Sequence, residues 1–285
     1  MSNTTTRGIV LMLCANLAFC IMACLVRHLS GCSTWITTLF RFLMGIGIIS
    51  IVAMSGRTRL HFVNNRGLFL RGLVGGTATA IFFFSISRIG LVRAGFIASL
   101  YPAFATCFGV AFLGERLSIR KVAALGGALA GVVVLMYNPS VTGGLMHNLN
   151  RYDLLAVCGA MLAGLAVVSI KKLQATDSTV AIFFAQCLVG SLMVFIPASF
   201  TVTVMAPRSL MVLLAIGILA TIGQLLLTDS YRYLTLSTGS ILVMTTPVFN
   251  CIAGVLFFHE PMSIQSGVGA LVILGSSSGL LMDKG

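Results

Sequence analysis

Apolar runs of about 20 residues follow one another along almost the whole chain, divided by short clusters of charged or turn-forming residues. A bilayer core of ~30 Å is crossed by a helix of about 20 apolar residues, so runs of this length and density dictate a polytopic membrane protein. Ten segments are expected, near residues 8–26, 34–54, 68–87, 92–113, 119–137, 153–170, 179–200, 209–228, 235–258 and 264–282. Backbone polar groups in hydrocarbon must be satisfied internally, and for runs this long that means helices. The expected fold class is therefore all-α integral membrane. Only 8% of the residues are charged, against about a quarter in a soluble domain. No polar block is left to form a separate soluble domain, so function must reside in the membrane or in short loops. The first segment is long for the apolar core of a cleaved leader and no small-x-small site follows it, so it is read as a true helix.

The net charge of +12 would suggest nucleic acid in a soluble protein. Here it reads as topology, because Lys and Arg gather in cytoplasmic loops. With a cytoplasmic N-terminus, the inner side holds twelve basic residues: Arg7, Arg57, Arg59, Arg66, Arg71, Arg116, Arg120, Lys121, Lys171, Lys172, Arg232 and Lys284. The outer side holds five, Arg27, Arg88, Arg93, Arg151 and Arg208, and Arg41 lies within a helix. Both termini are thus expected in the cytoplasm, and the location is a cytoplasmic (inner) membrane. Of the eight cysteines only Cys32 looks loop-borne, and the histidines His28, His61, His147 and His259 are scattered. There is no C-x-x-C pair and no Cys/His grouping with metal spacing, so neither a metal nor another cofactor is expected.

Displacing the sequence by 145 residues aligns its halves without a gap. Arg27 meets Lys172, Ser33 and Thr34 meet Ser178 and Thr179, Gly45 meets Gly190, and Gly72 meets Gly217. Pro102 then meets Pro247, Gly109 meets Gly254, Glu115 meets Glu260, and Ser118 meets Ser263. Apolar matches arise by chance, but a proline, a glutamate, a basic residue and several glycines in one register do not. The chain divides into a first five-helix unit, residues 1–140, and a second, residues 150–285. Because five is odd, the second copy is expected to enter the membrane from the opposite side. Inverted repeats are the architecture of alternating-access carriers, with the substrate held near the midplane where the repeats meet.

Each unit carries a proline in its fourth helix, followed by Gly-Glu-Arg-Leu-Ser (114–118) or His-Glu-Pro-Met-Ser (259–263). With the Phe-Arg-Phe of 40–42, these features resemble the EamA-type branch of the drug/metabolite transporter superfamily. The resemblance covers nearly the whole chain and implies a ten-helix transporter of small metabolites, amino acids among them.

Pro102 and Pro247 are expected to act as hinges in helices that continue on either side, since neighbouring helices can satisfy the freed carbonyls. Glu115 and Glu260, at helix ends before Ser118 and Ser263, fit a structural turn with serine as the cap of the next helix. Arg41 is an intramembrane charge and so a functional candidate, although a long arginine can snorkel; its repeat partner is Gln186. Asp229 and Arg232 are close enough on one helix to pair. Candidates for the substrate site are Asn16, Arg41, Thr79, Phe83, Tyr101, Gln224, Thr246 and Asn250, with Phe82 as a further cavity wall. Tyr101 and Thr246 are repeat-equivalent, as are Thr79 and Gln224, and Asn250 lies one turn beyond Thr246. The third, fourth, eighth and ninth segments are expected to line the cavity and gate it. G-x-x-x-G pairs at Gly72/Gly76, Gly127/Gly131 and Gly275/Gly279 favour close helix packing.

No acidic residue lies at the centre of a segment, which favours a neutral, zwitterionic or anionic solute over a cation. An intramembrane enzyme would need a nucleophile or metal motif, and neither H-E-x-x-H nor a nucleotide-binding loop is present. A non-transporting membrane protein leaves the inverted repeat without a purpose. The expected function is a secondary carrier or facilitator of a small organic metabolite, such as an amino acid, working by alternating access. Its expected partners are that small-molecule substrate and the lipid bilayer, not nucleic acid; the sequence is equally compatible with a homodimer. Replacing Tyr101 or Asn250 by alanine is expected to impair transport without preventing membrane insertion.

Overall fold

The computed structural model describes residues 3–27, 33–56, 60–136, 150–201, 207–259 and 264–281. Glu260 lies outside the described residues, as do His28, Cys32, Arg57, Arg59, His147 and Lys284. Twelve helices and no strand occur among the described residues. The first half contains α1 (Asn3–Arg27), α2 (Thr34–Met54), α3 (Asn65–Ile89), α4 (Leu91–Ala98), α5 (Tyr101–Leu113) and α6 (Ile119–Met136). The second contains α7 (Arg151–Leu173), α8 (Thr179–Ser199), α9 (Pro207–Tyr233), α10 (Leu236–Val243), α11 (Thr246–Phe258) and α12 (Ile264–Leu281). Four helices of the first half recur in the second with both ends displaced by 145 residues: α2 as α8, α4 as α10, α5 as α11 and α6 as α12.

Among the described residues eight segments are long and apolar enough to cross a membrane, the last running from Leu236 to Phe258 across α10 and α11; Gly267–Ser278 within α12 is a shorter apolar run. The surface these helices present is apolar, with Ile264 88%, Phe257 73% and Leu192 68% exposed. Asn16, Thr38, Ser237 and Ser240 are instead fully buried. Water would drive that arrangement the other way, so the distribution is that of a multi-pass protein solvated by lipid.

The prolines interrupt their helices, which differs from the expected continuous course. A two-residue turn separates α4 from α5 just before Tyr101-Pro102, and another separates α10 from α11 before Thr246-Pro247. The cause is chemical: proline has no N–H, so the carbonyl four residues earlier, that of Ala98 or Val243, has no helical donor. At the second turn the Thr246 hydroxyl donates to the Val243 carbonyl over 2.8 Å. Asn16 Nδ2, reaching across from α1, donates to the Leu242 carbonyl and to Thr245 Oγ1, each over 2.9 Å.

The expected glycine contacts are present on α3 and α6. A Cβ on Gly72 would lie 2.7 Å from the Ala185 carbonyl oxygen, and one on Gly76 would lie 2.9 Å from Gly190 Cα, so α3 meets α8 backbone to backbone. On the outer pair α6–α12, a Cβ on Gly131 would lie 2.9 Å from the Gly269 carbonyl oxygen. Gly275, expected to serve the same purpose on α12, faces open space; Gly269 takes its place.

Polar contacts hold the halves together at both ends of the bundle. Glu115, just past α5, accepts from the Leu236 N–H (2.6 Å), the Ser237 N–H (3.2 Å) and the Ser237 hydroxyl (2.9 Å), and so caps α10. A carboxylate at a helix N-terminus satisfies orphan donors and opposes the positive end of the helix dipole. Beside it, and within the second half, Lys171 Nζ donates to the carbonyls of Tyr231 (2.6 Å) and Leu234 (2.7 Å) at the end of α9. Asp177 accepts from the N–H groups of Val63 (2.7 Å) and Asn64 (3.2 Å). At the other end of the bundle Arg93 of α4 grips Asp153 of α7 through two bonds of 2.7 Å.

α5 and α11 end at equivalent positions in the left-handed conformation, Gly114 with φ 63° and His259 with φ 50°. An L side chain there costs roughly 1–2 kcal/mol. His259→Gly is therefore expected to raise stability by about 1 kcal/mol, measured by denaturant titration in micelles. Glu115→Gln keeps the shape but removes the charge from three hydrogen bonds, and is expected to lower stability by about 1–3 kcal/mol in the same titration.

Candidate functional site

A cavity of about 320 Å³ opens between the two halves. From the first half it is lined by Phe19 of α1, Arg41 of α2, Arg71, Gly75, Ala78, Thr79, Phe82 and Ser85 of α3, Ala94 and Ala98 of α4, and Tyr101 of α5. The second half contributes Ala156, Gly159, Ala160, Ala163, Ala166, Val167 and Ile170 of α7, Gln186 of α8, and Gln224 and Leu227 of α9. The volume suits a small organic molecule.

Helix periodicity explains how the wall is built. Phe82 and Ser85, like Gly75, Ala78 and Thr79, recur every three or four residues along α3 and share one face. On α7 the recurring residues are small, so the wall recedes and leaves room. At one end Ala94 and Ala156 sit within one turn of the Arg93–Asp153 pair, which places that bidentate contact just beyond the cavity. Bidentate arginine–carboxylate pairs fix orientation as well as position.

Two guanidinium groups reach this space. Arg71, 2% exposed, donates from Nη2 to Gln186 Oε1 over 2.8 Å. No described acceptor reaches its Nε or Nη1. Its guanidinium lies over Gly75, where a Cβ would collide with Nη1. Arg41 enters from α2, and Cys187 lies within electrostatic reach of both arginines. Among the described residues no Asp or Glu lines the cavity. Ser85 Oγ is also buried without a partner, while Thr79 Oγ1 donates back to the Gly75 carbonyl over 2.9 Å.

Of the candidates read from the sequence, Arg41, Thr79, Tyr101 and Gln224 come together at this cavity. Phe83 stands behind its wall, packed edge-on against Phe82 at 5.6 Å between ring centres. Asn16 and Thr246 lie at the α10–α11 turn in the contacts already described, and Asn250 is exposed on α11. The ninth segment, expected to line the cavity, supplies no lining residue among those described; α10 and α11 pack on α1 and α5 instead.

Arg71 was absent from the sequence-derived candidates because it stands near the end of an apolar run and counts naturally as a loop charge. Its helix begins six residues earlier, at Asn65, which draws it inward. Gln186 had a signal, its equivalence to Arg41. The small-residue stripe Ala156, Ala160, Ala163 had one too, since its helical spacing marks a face made for close approach.

Comparison with known proteins agrees with this architecture. The family model of the EamA-like transporter family matches residues 6–137 and again 150–282. The pseudopaline exporter CntI of Pseudomonas aeruginosa is 26% identical over 94% of this chain and 93% of its own. An uncharacterized transporter of Helicobacter pylori is 28% identical over 99% of this chain and 96% of that one. Mouse solute carrier family 35 member G1 is 24% identical over 74% of this chain and 60% of its own. A solved crystal structure superposes with a TM-score of 0.79 at 18% identity, covering 96% of each chain, and so shares the fold. With both halves matched, this multi-pass membrane protein belongs to the EamA-like transporter family.

Proposed function

We propose that the protein is a secondary carrier that moves a small organic metabolite, an amino acid or related solute, across the cytoplasmic membrane by alternating access. The observation that carries this reading is a cavity shared by two sequence-related halves, with polar contacts between those halves at each end of the bundle. Such contacts can part on one side while the other side stays shut, which is what alternating access requires. Arg41, Thr79, Tyr101 and Gln224 form the substrate site, and the turns before Pro102 and Pro247 serve as hinges.

The reading includes ten spans in two inverted units, with α6 and α12 as the fifth and tenth. Inversion is supported by the contacts at the helix ends. The start of α4 meets the start of α7 through Arg93 and Asp153, whereas the end of α5 meets the start of α10 through Glu115. α7 in turn ends beside α10, where Lys171 reaches Leu234. The α4–α5 span therefore runs opposite to its equivalent, α10–α11. The end carrying Glu115 also carries Arg116, Arg120, Lys121, Lys172 and Arg232, which favours the cytoplasm. Both termini then face the cytoplasm.

Counterflow in proteoliposomes tests the reading. Vesicles preloaded with an unlabelled solute that binds the protein should accumulate the labelled solute transiently, which neither a channel nor an enzyme does. Tyr101→Ala should cut that rate about 10-fold or more, while Leu192→Ala, on the lipid-facing surface, should leave it unchanged. Counterflow absent for every solute that binds, or unaffected by Tyr101→Ala, would sink the proposal.

A further inference from the structure

We infer that the cavity is an organic-acid site, in which Arg41 and Arg71 together clamp the carboxylate of a cargo whose remaining surface is largely apolar. This rests on the carrier reading for its role in transport, but the binding site stands on separate observations.

The argument begins with charge. Two guanidiniums line one cavity, and no carboxylate among the described residues lines it with them. Arginine remains protonated in proteins, so the buried Arg71 cannot escape the cost of burial by losing its proton. A structural role would show as saturation of donors. Arg71 instead uses Nη2 on Gln186 and leaves Nε and Nη1, both buried, without an acceptor. Among the described residues neither a hydrogen bond nor an ion pair engages the Arg41 head. Buried donors in a low-dielectric setting demand an acceptor, and a negatively charged one gains most.

Gln186 gives the geometry. It is the repeat partner of Arg41, displaced by 145 residues, and it holds the guanidinium of Arg71 over Gly75. Equivalent positions on α2 and α8 thus supply one clamp arm and the anchor of the other. Gly75 leaves the space in which that guanidinium lies; a methyl group there would displace it.

The other surfaces narrow the cargo. Phe19, Phe82 and the small residues of α7 offer apolar contact, and Ser85, Tyr101 and Gln224 add uncharged polar groups. A planar carboxylate matches the guanidinium fork. A phosphate ester carries about two charges into the same apolar surroundings and is harder to desolvate. Among the described residues no carboxylate lines the cavity to pair with a cationic cargo.

The test is ligand binding to the purified full chain in detergent, followed by thermal shift and equilibrium titration. Benzoate, indole-3-acetate and hexanoate are compared at millimolar concentration with their amides and with phenyl phosphate. At least one acid should raise the unfolding temperature in a saturable manner, and its matched amide should not. Arg41→Gln and Arg71→Gln should each weaken that acid about 10- to 100-fold. Gly75→Ala, which displaces the Arg71 head while retaining its charge, should also weaken it; a folded Gly75→Ala, checked by its own unfolding transition, decides the matter if the arginine variants fail to fold. Binding by no acid, equal binding of acid and amide, binding of phenyl phosphate alone, or full affinity in Gly75→Ala would each overturn the assignment. Acid binding without counterflow would instead overturn the carrier reading and leave the site standing.

Discussion

Hydrocarbon offers no hydrogen bonds, and that single fact orders the molecule from its outline to its cavity. Every donor and acceptor has to find its partner within the protein, so polar side chains collect inside and apolar ones face outward. The same constraint explains why helix ends are capped by side chains from other helices. Glu115 closes the start of α10, and Lys171 closes the end of α9. In a soluble protein water would relieve both ends at little cost. Glu115 is also a joint between the halves, so the rules that permit the helices to form help decide how the halves meet.

A second consequence concerns the cavity. Small residues on α7 hold the backbone close to its neighbours and still leave open volume, because alanine and glycine occupy little of the gap between helices. Among the larger side chains that enter, Phe19, Phe82, Ile170 and Leu227 are apolar, and the polar ones are few. Arg71 is steadied by Gln186, and Gly75 gives it room. Chemical character in this space therefore comes from a handful of groups, set against a background that would accept many shapes.

Much of the architecture was readable from residue order. Helix positions follow from apolar length, and the duplication is visible in the residues alone, in Pro102/Pro247 and Glu115/Glu260. The displacement of 145 residues then recurred in the helix boundaries themselves. What escaped the sequence depended on contacts between distant segments. Continuity through the prolines was argued from donors that neighbours can lend; Thr246 and Asn16 do lend them, yet the backbone still turns there. Arg71 looked like a loop charge because hydropathy fixes the end of a helix only to within a few residues. Thr246 and Asn250 were grouped with Tyr101 by repeat equivalence, but equivalence in sequence fixes place in the fold, not surroundings. The α10–α11 segment packs against α1, and Asn250 is exposed and is not among the residues that line the cavity.

The two interrupted helices differ in how fully their carbonyls are served. At the α10–α11 turn Thr246 answers the Val243 carbonyl, and Asn16 reaches the neighbouring Leu242 carbonyl and Thr245. At the α4–α5 turn a tyrosine stands where Thr246 would be, and Ala98 lines the cavity. Two identical copies would make the two orientations of a carrier equal in energy by symmetry. Once the copies diverge, each unmatched hydrogen bond weights one orientation over the other. On the carrier reading, the side to which the empty protein rests open is therefore inherited from sequence drift between the halves. A pump would need a fuel to set such a preference; a duplicated chain acquires it by ageing unevenly.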